Sequence, residues 1–566
     1  MTHTNDETTP LLGSHHNTQD TNSINSHITI LTNDSDSTVN SHPTNNKTTD
    51  DDNDIVAKRL NGVSLYTILF GLWVGVSLAA LDSSIVATIY AQIGTEFKRS
   101  NEIIWIATSY MLSYTALQPL YGRISDVFGR KSALIFATSF FFVGSLLCGA
   151  ATGLWTLVIA RAIAGIGGGG INTLTTVMVS DLVPLRQRGT YQGYSNIAYG
   201  VGSVVGSPVG GFLTDTVGWR FCFYINLPLL LVTIYVSTCL LTNYNLEEES
   251  DETDLWQRLK KIDYAGAFTV VMAIVAFLMA TSLGGNIRPW SDPLVVGCLV
   301  TAGVLTILFC LIEAKWAENP LMPWSIISSR TPLACASANF WTVMCSTSVI
   351  YIAPLYFQGL LGYSPTHAGL FYLPKVVSVS LGSVLSGMYM SRTGEYLKIT
   401  TCGAFLSLFS MIGFCFWNPS TSLTQLLFCL FADGLSFGSI ITTTLIAMLS
   451  CVGSKDMATI TSMSYLFRSA GGVIGISSTS AIFQAVVKNI LTKEITGPDA
   501  EKYIEIARKS MTEVQTLLPP DVLEIVLDSY QTAIRYSFAA CVCMASLAVF
   551  STFFIQRYEL QSKITK

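Results

Sequence analysis

Five ionisable residues stand inside long apolar runs of this 566-residue sequence: Asp82, Arg161, Lys375, Asp433 and Arg468. An acid and a base held together in apolar surroundings neutralise each other, and protonating the acid dissolves the pair. That is the chemistry of proton coupling, or of recognising a charged solute, and it calls for no cofactor. Other chemistry is missing. With no Gly-Lys dipeptide there is no P-loop for ATP, and with no His-Glu-x-x-His there is no zinc motif. Five of the six histidines precede residue 54, so His367 alone accompanies the apolar runs and neither a His metal site nor a His relay is expected. The 13 cysteines all follow residue 147 and are scattered through the runs as small hydrophobes rather than as a disulfide framework. No metal, no cofactor and no enzymatic activity are expected.

The elements that must position these charges follow from composition. Half of the residues are hydrophobic and only 12% are charged, against roughly 25% in a soluble domain. A net charge of −5 leaves no basic excess for nucleic acid. Apolar stretches of bilayer-spanning length predict fourteen helices near 63–92, 103–121, 132–152, 154–179, 190–213, 221–241, 263–284, 293–314, 334–358, 367–390, 398–417, 422–450, 457–486 and 534–556. The expected class is therefore an all-α polytopic membrane protein. Residues 1–62 read as a disordered tail, because the Thr-, Asn-, Ser- and Asp-rich start buries too little apolar surface to offset ordering entropy. That start also lacks the basic and apolar segments of a signal peptide, so the first run stays as a membrane helix.

Residues 63–241 form a six-helix half, 242–262 an acidic loop, 263–314 two further helices, 334–556 a second six-helix half with a long loop at 487–533, and 557–566 a short end. Eighteen Lys and Arg fall in the segments on the side of both termini, and only Lys98, Arg99, Arg220 and Arg288 in the short loops opposite. Both termini are accordingly expected in the cytoplasm. At 1.5 Å per residue, Asp82 and Arg161 sit at depths agreeing within roughly 5 Å and are expected to pair. Asp433 and Arg468 both come near the midplane of consecutive helices, where they either pair or face a cavity. Lys375 either snorkels outward or faces that cavity. Glu313 and Asp263 are expected to act as helix caps.

The runs 122–131 (GRISDVFGRK) and 387–398 (GMYMSRTGEYLK) follow the second and tenth helices as an internal echo, and parallel halves with a midplane site are a transporter design. Gly122, Asp126, Gly129, Arg130 and Lys131 resemble the loop motif of the major facilitator superfamily. Asp126 and Arg130 are spaced to form a charge pair, and Asp181 is a second potential partner for Arg130. Such a pair would break or re-form when two halves rock. Arg161, followed by Gly165 and Gly167, resembles the superfamily's intramembrane Arg motif. Gly193, Gly202, Gly206, Pro208, Gly210 and Gly211 resemble its antiporter motif, except that Ser207 occupies the usual proline position and Pro208 follows it. The segments 81–86 (LDSSIV), 219–228 (WRFCFYINLP) and 262–266 (IDYAG) are similar to fourteen-spanner drug:proton antiporters. With 464–475 (SYLFRSAGGVIG), they point to the fungal branch of vacuolar basic amino acid transporters.

The resemblance implies the major facilitator fold, two six-helix halves plus two inserted helices, working as a monomer in a lipid bilayer. It implies a proton-coupled antiporter carrying amino acids, basic ones foremost, from cytosol into the vacuole. Asp82 or Asp433 would carry the proton, with Arg161 and Arg468 lowering the carboxyls' pKa. A plasma-membrane multidrug exporter and a non-transporting nutrient sensor are the alternatives. Glu7, Leu11 and Leu12 fit an acidic dileucine signal, which a sorting adaptor would read on the tail.

Overall fold

The computed structural model describes residues 63–97, 104–242, 263–284, 288–317, 320–363, 365–453, 456–496, 500–509 and 518–560. Apolar content and the near absence of interior breakers make each run helical, because a backbone in lipid must satisfy its own hydrogen bonds. The first six long helices are α1 (Leu65–Phe97), α2 (Ile104–Phe128), α3 (Arg130–Gly149), α4 (Leu154–Leu182), α5 (Leu185–Thr216) and α6 (Phe221–Leu240). Then come α7 (Tyr264–Leu283), α8 (Pro293–Lys315), α9 (Arg330–Leu360), α10 (Pro365–Thr393), α11 (Leu397–Cys415), α12 (Leu423–Leu449), α13 (Met457–Glu494) and α14 (Pro520–Thr552). Thirteen of these are long and apolar enough to cross a membrane among the described residues. The fourteenth long helix, α2, falls short because Gln118, Arg123, Asp126 and several Ser and Tyr interrupt its apolarity.

Several boundaries differ from the sequence expectation, each for a local reason. Helix α2 runs on through Gly122 and Asp126 to Phe128, so most of the motif expected in a loop is helical. The reversal is concentrated at Gly129, whose φ of 92° suits glycine. The echo behaves alike, with Gly394 at φ 71° ending α10. Much of the expected 487–533 loop is helix: α13 continues to Glu494, Ala500–Lys509 forms a short helix, and α14 starts at Pro520. Pro520 opens that helix, since a first-turn residue needs no N–H partner. Helix α6 is broken into Phe221–Tyr224, Asn226–Tyr235 and a π turn at Val236–Leu240, with Pro228 removing one ladder donor. Asp263 does cap α7, accepting from Gly266 N at 2.9 Å, whereas Glu313 caps no helix: it accepts from Leu321 N and Met322 N at 3.0 and 3.3 Å and so anchors the segment between α8 and α9 to the end of α8.

The two halves repeat one packing scheme. In the first, α1 packs on α5 and α6, and α4 on α2 and α3; in the second, α9 packs on α13 and α14, and α12 on α10 and α11. Two long contacts, α2 with α13 and α5 with α10, close the seam between the halves and are related by the same repeat. Because lipid offers no hydrophobic gain for helix association, close approach of backbones must hold such contacts. Helix α4 shows this, as a Cβ on Gly165, Gly167 or Gly169 would overlap backbone of α2 or α3. The inserted helices α7 and α8 pair with each other, and α7 lies against both α2 and α13. A small crevice of about 170 Å³ remains there, lined by Met111, Leu112, Leu278, Thr281, Val473 and Ile476 among others.

Candidate functional site

In the first half, Arg161 Nη1 lies 2.5 Å from Asp82 Oδ2, and both side chains are 1% exposed. Asn226 Nδ2 donates to the other carboxylate oxygen at 3.2 Å. The guanidinium also sits 4.1 Å from the Tyr110 ring centre, an electrostatically favourable face. Three helices thus converge on one carboxylate: α1 carries it, α4 the cation and α6 the amide. Depth counting anticipated the pair. It missed Asn226 and Tyr110, although an amide in the apolar run of α6 was a visible signal.

The second half holds a counterpart with different partners. Lys375 Nζ lies 2.7 Å from Asp433 Oδ2, both side chains at most 3% exposed, and donates to Ser346 O at 2.9 Å. Lys375 therefore neither snorkels nor stands alone. Of the two outcomes left open for Asp433, pairing or facing a cavity, the structure shows pairing, with Lys375 and not Arg468 as the partner. Consecutive helices are not the best neighbours here: α12 packs extensively on α10 and only slightly on α13. Arg468, partly buried, donates through Nη2 to Ile441 O at 2.5 Å and stands 5.4 Å from the Tyr465 ring. Its Nε is buried without a partner.

At the bundle end that carries Gly129, Arg130 ties three groups together. Nη1 reaches Asp126 Oδ1 and Ser125 Oγ at 2.6 Å each, and Nε reaches Asp181 Oδ2 at 2.8 Å. Lys131 follows it in the first turn of α3. The halves meet at the same end. Arg186 donates to Ser391 O and Arg392 O, both at 2.6 Å, and a Cβ on Gly122 would overlap Ser462 of α13. Farther along the seam, Asn196 Nδ2 donates to Ser383 Oγ at 2.6 Å, Thr176 and Tyr465 share a 2.7 Å hydroxyl contact, and Ser469 donates to Gln118 at 3.0 Å. The halves are thus in contact at the Gly129 end of the seam.

The glycines of α5 divide between two neighbours rather than forming one face. Gly202, Gly206 and Gly210 approach α1 at Ser77, Ser84 and Ile85, while Gly193 meets Val384 of α10 across the seam and Gly211 touches nothing. Pro208 lies inside the helix. Glu7, Leu11 and Leu12 lie outside the described residues.

The sequence profile described as Major Facilitator Superfamily matches residues 72–476. The chain belongs to the Major Facilitator Superfamily. Among its relatives, the Schizosaccharomyces pombe vacuolar membrane amino acid uptake transporter fnx2 is 37% identical, over 88% of this chain and 85% of that protein. The multidrug resistance protein fnx1 of the same organism is 36% identical over 89% and 95%. Vacuolar basic amino acid transporter 1 of Saccharomyces cerevisiae is 32% identical over 87% and 92%. Solved structures share the fold: the human organic anion transporter MFSD10 superposes with a TM-score of 0.54 at 12% identity, covering 87% of this chain and 99% of its own, and the proton:xylose symporter XylE with 0.53 at 17%, covering 88% and 97%. This superfamily member is a membrane transporter, with a small molecule as its substrate.

Proposed function

We propose that this transporter exchanges protons for amino acids, basic ones foremost, moving them from cytosol into the vacuole by alternating access. The observation that carries the reading is one buried acid–base pair in each half, Asp82 with Arg161 and Asp433 with Lys375. A proton from the acidic lumen neutralises one carboxylate and frees its cation. Release of that proton to the cytosol restores the pair. Because a neutral pair is far less costly in lipid than a lone charge, protonation changes which arrangement of the half is stable. Arg130, with Asp126 and Asp181, latches the Gly129 end, which the count of basic residues assigns to the cytoplasm. The glycines of α5 permit the helix approach that the latched state requires. The two relatives named as vacuolar amino acid transporters support the cargo and the compartment, and the Glu7, Leu11 and Leu12 signal would supply the address.

The experiment is ATP-dependent uptake of labelled lysine, arginine and histidine into vacuolar vesicles, with and without a protonophore. Uptake that survives collapse of the gradient refutes the coupling. A second reading, a plasma-membrane exporter of apolar cations, draws support from the relative named as a multidrug resistance protein. It gains if no amino acid accumulates and tagged protein sits at the cell surface.

A further inference from the structure

We propose that Arg468 holds the substrate's carboxylate, and that a tyrosine wall beside it takes a cationic group on the same molecule. The assignment rests on the transport reading above and gives it a substrate class: amphoteric solutes carrying a carboxylate and a cation a few carbons apart.

Among the described residues, three mid-helix cations lie within the bundle, and two of them are neutralised by a carboxylate within 2.7 Å. Arg468 has none among the described residues. Its acceptor is the neutral Ile441 carbonyl, and its Nε is buried with no acceptor at all. An uncompensated guanidinium in the middle of a membrane protein is costly, and its planar fork matches a carboxylate. The seam is where a solute would meet it. Tyr465, one turn before Arg468, touches Thr176 of the first half, and Ser469, the next residue, touches Gln118. Arg468 is also partly exposed, whereas Arg161 is 1% exposed.

The surroundings suit a second, positive group. Tyr465 stands 5.4 Å from the Arg468 guanidinium, and Tyr114 stacks on Tyr110 with ring centres 5.6 Å apart and accepts from Asn172 at 2.8 Å. Aromatic faces attract ammonium and guanidinium groups. A free amine or lipophilic cation would satisfy this wall but leave Arg468 uncompensated beside a second positive charge. Lysine or arginine satisfies both.

The test uses the full chain in vesicles, with labelled lysine displaced by unlabelled lysine or by cadaverine, which is lysine without its carboxylate. Wild type should require roughly ten- to hundredfold more cadaverine than lysine, the range for a hydrogen-bonded charge. Arg468→Gln should abolish that preference by weakening lysine, and Arg468→Lys should retain part of it. Equal competition by cadaverine in wild type overturns the assignment, as does an unaltered preference in Arg468→Gln. If Arg468→Gln fails to fold, wild type and Arg468→Lys still decide. Lysine binding to the detergent-purified protein separates the two claims. Arg468-dependent binding without proton-driven uptake refutes the transport reading and keeps the anchor. Uptake with no preference over cadaverine does the reverse.

Discussion

The seam at the Gly129 end makes a quantitative prediction through Gly387. A Cβ at this position would overlap the Gly189 carbonyl group and lie 2.5 Å from Thr190 N, all of it backbone of α5. Ordinary contact begins at 3.4 Å, so Gly387→Ala forces α10 and α5 apart by about 1 Å. Overpacking of this kind costs about 1–3 kcal/mol, roughly a 5–150-fold shift in a two-state equilibrium. The cost falls on the state closed at this end, because the contact joins the two halves. The reciprocal change is different. A Cβ on Gly189 would meet the flexible thioether end of the buried Met390 and leave 3.0 Å to Gly387 Cα, so Gly189→Ala should have a smaller effect. Hydrogen–deuterium exchange of the segments 185–192 and 387–394 reads the closed population directly, alongside uptake rate. Gly387→Ala should lose protection in both segments and Gly189→Ala should keep most of it. Equal behaviour of the two variants, or wild-type protection in Gly387→Ala, would refute the reasoning.

Further predictions concern the charges. Asp82→Asn strands Arg161 and should cost about 3–5 kcal/mol in thermal unfolding, while Asp82→Leu with Arg161→Met should be more stable than either single change; additive losses would show that the pair is not the energetic unit. Exchanging Lys375→Asp with Asp433→Lys should recover stability lost in each single variant, and a swap no better than the singles would deny the 2.7 Å pair its weight. Glu96, beyond the apolar span of α1, accepts from the Trp219 indole at 2.5 Å and pairs with Arg220 at 2.8 Å. The indole hydrogen bond is the larger of the causes that hold its carboxyl below the ordinary value. A lowered carboxyl pKa stabilises the fold above the unfolded value, and that contribution fades as pH falls through the folded one. Trp219→Phe should therefore lower Tm more at about pH 7 than at about pH 3; a pH-independent difference would contradict this.

Fold and site were unequally legible in the sequence. The fold is written in run length and apolarity, so all fourteen long helices can be read, but polar helix ends such as 520–533 carry no such mark and read as loop. The echo between 122–131 and 387–398 was more informative than its few matching residues suggest. Both stretches place a glycine against the other half and, seven residues on, a glycine with positive φ. Depth counting found Asp82 and Arg161, because depth sufficed when one acid faced one base. It left Asp433 open, because which helices are neighbours is a property of the bundle and not of chain order, and it did not single out Lys375 as the partner.

The inserted helices break the symmetry that the repeat would otherwise impose. One seam, between α2 and α13, has α7 laid along it; the other, between α5 and α10, has no such cover among the described helices. In the rocking that the proposed function calls for, a half slides against protein at the α2–α13 seam and has no such helix over it at the α5–α10 seam, so that a change of membrane is felt unequally at the two seams.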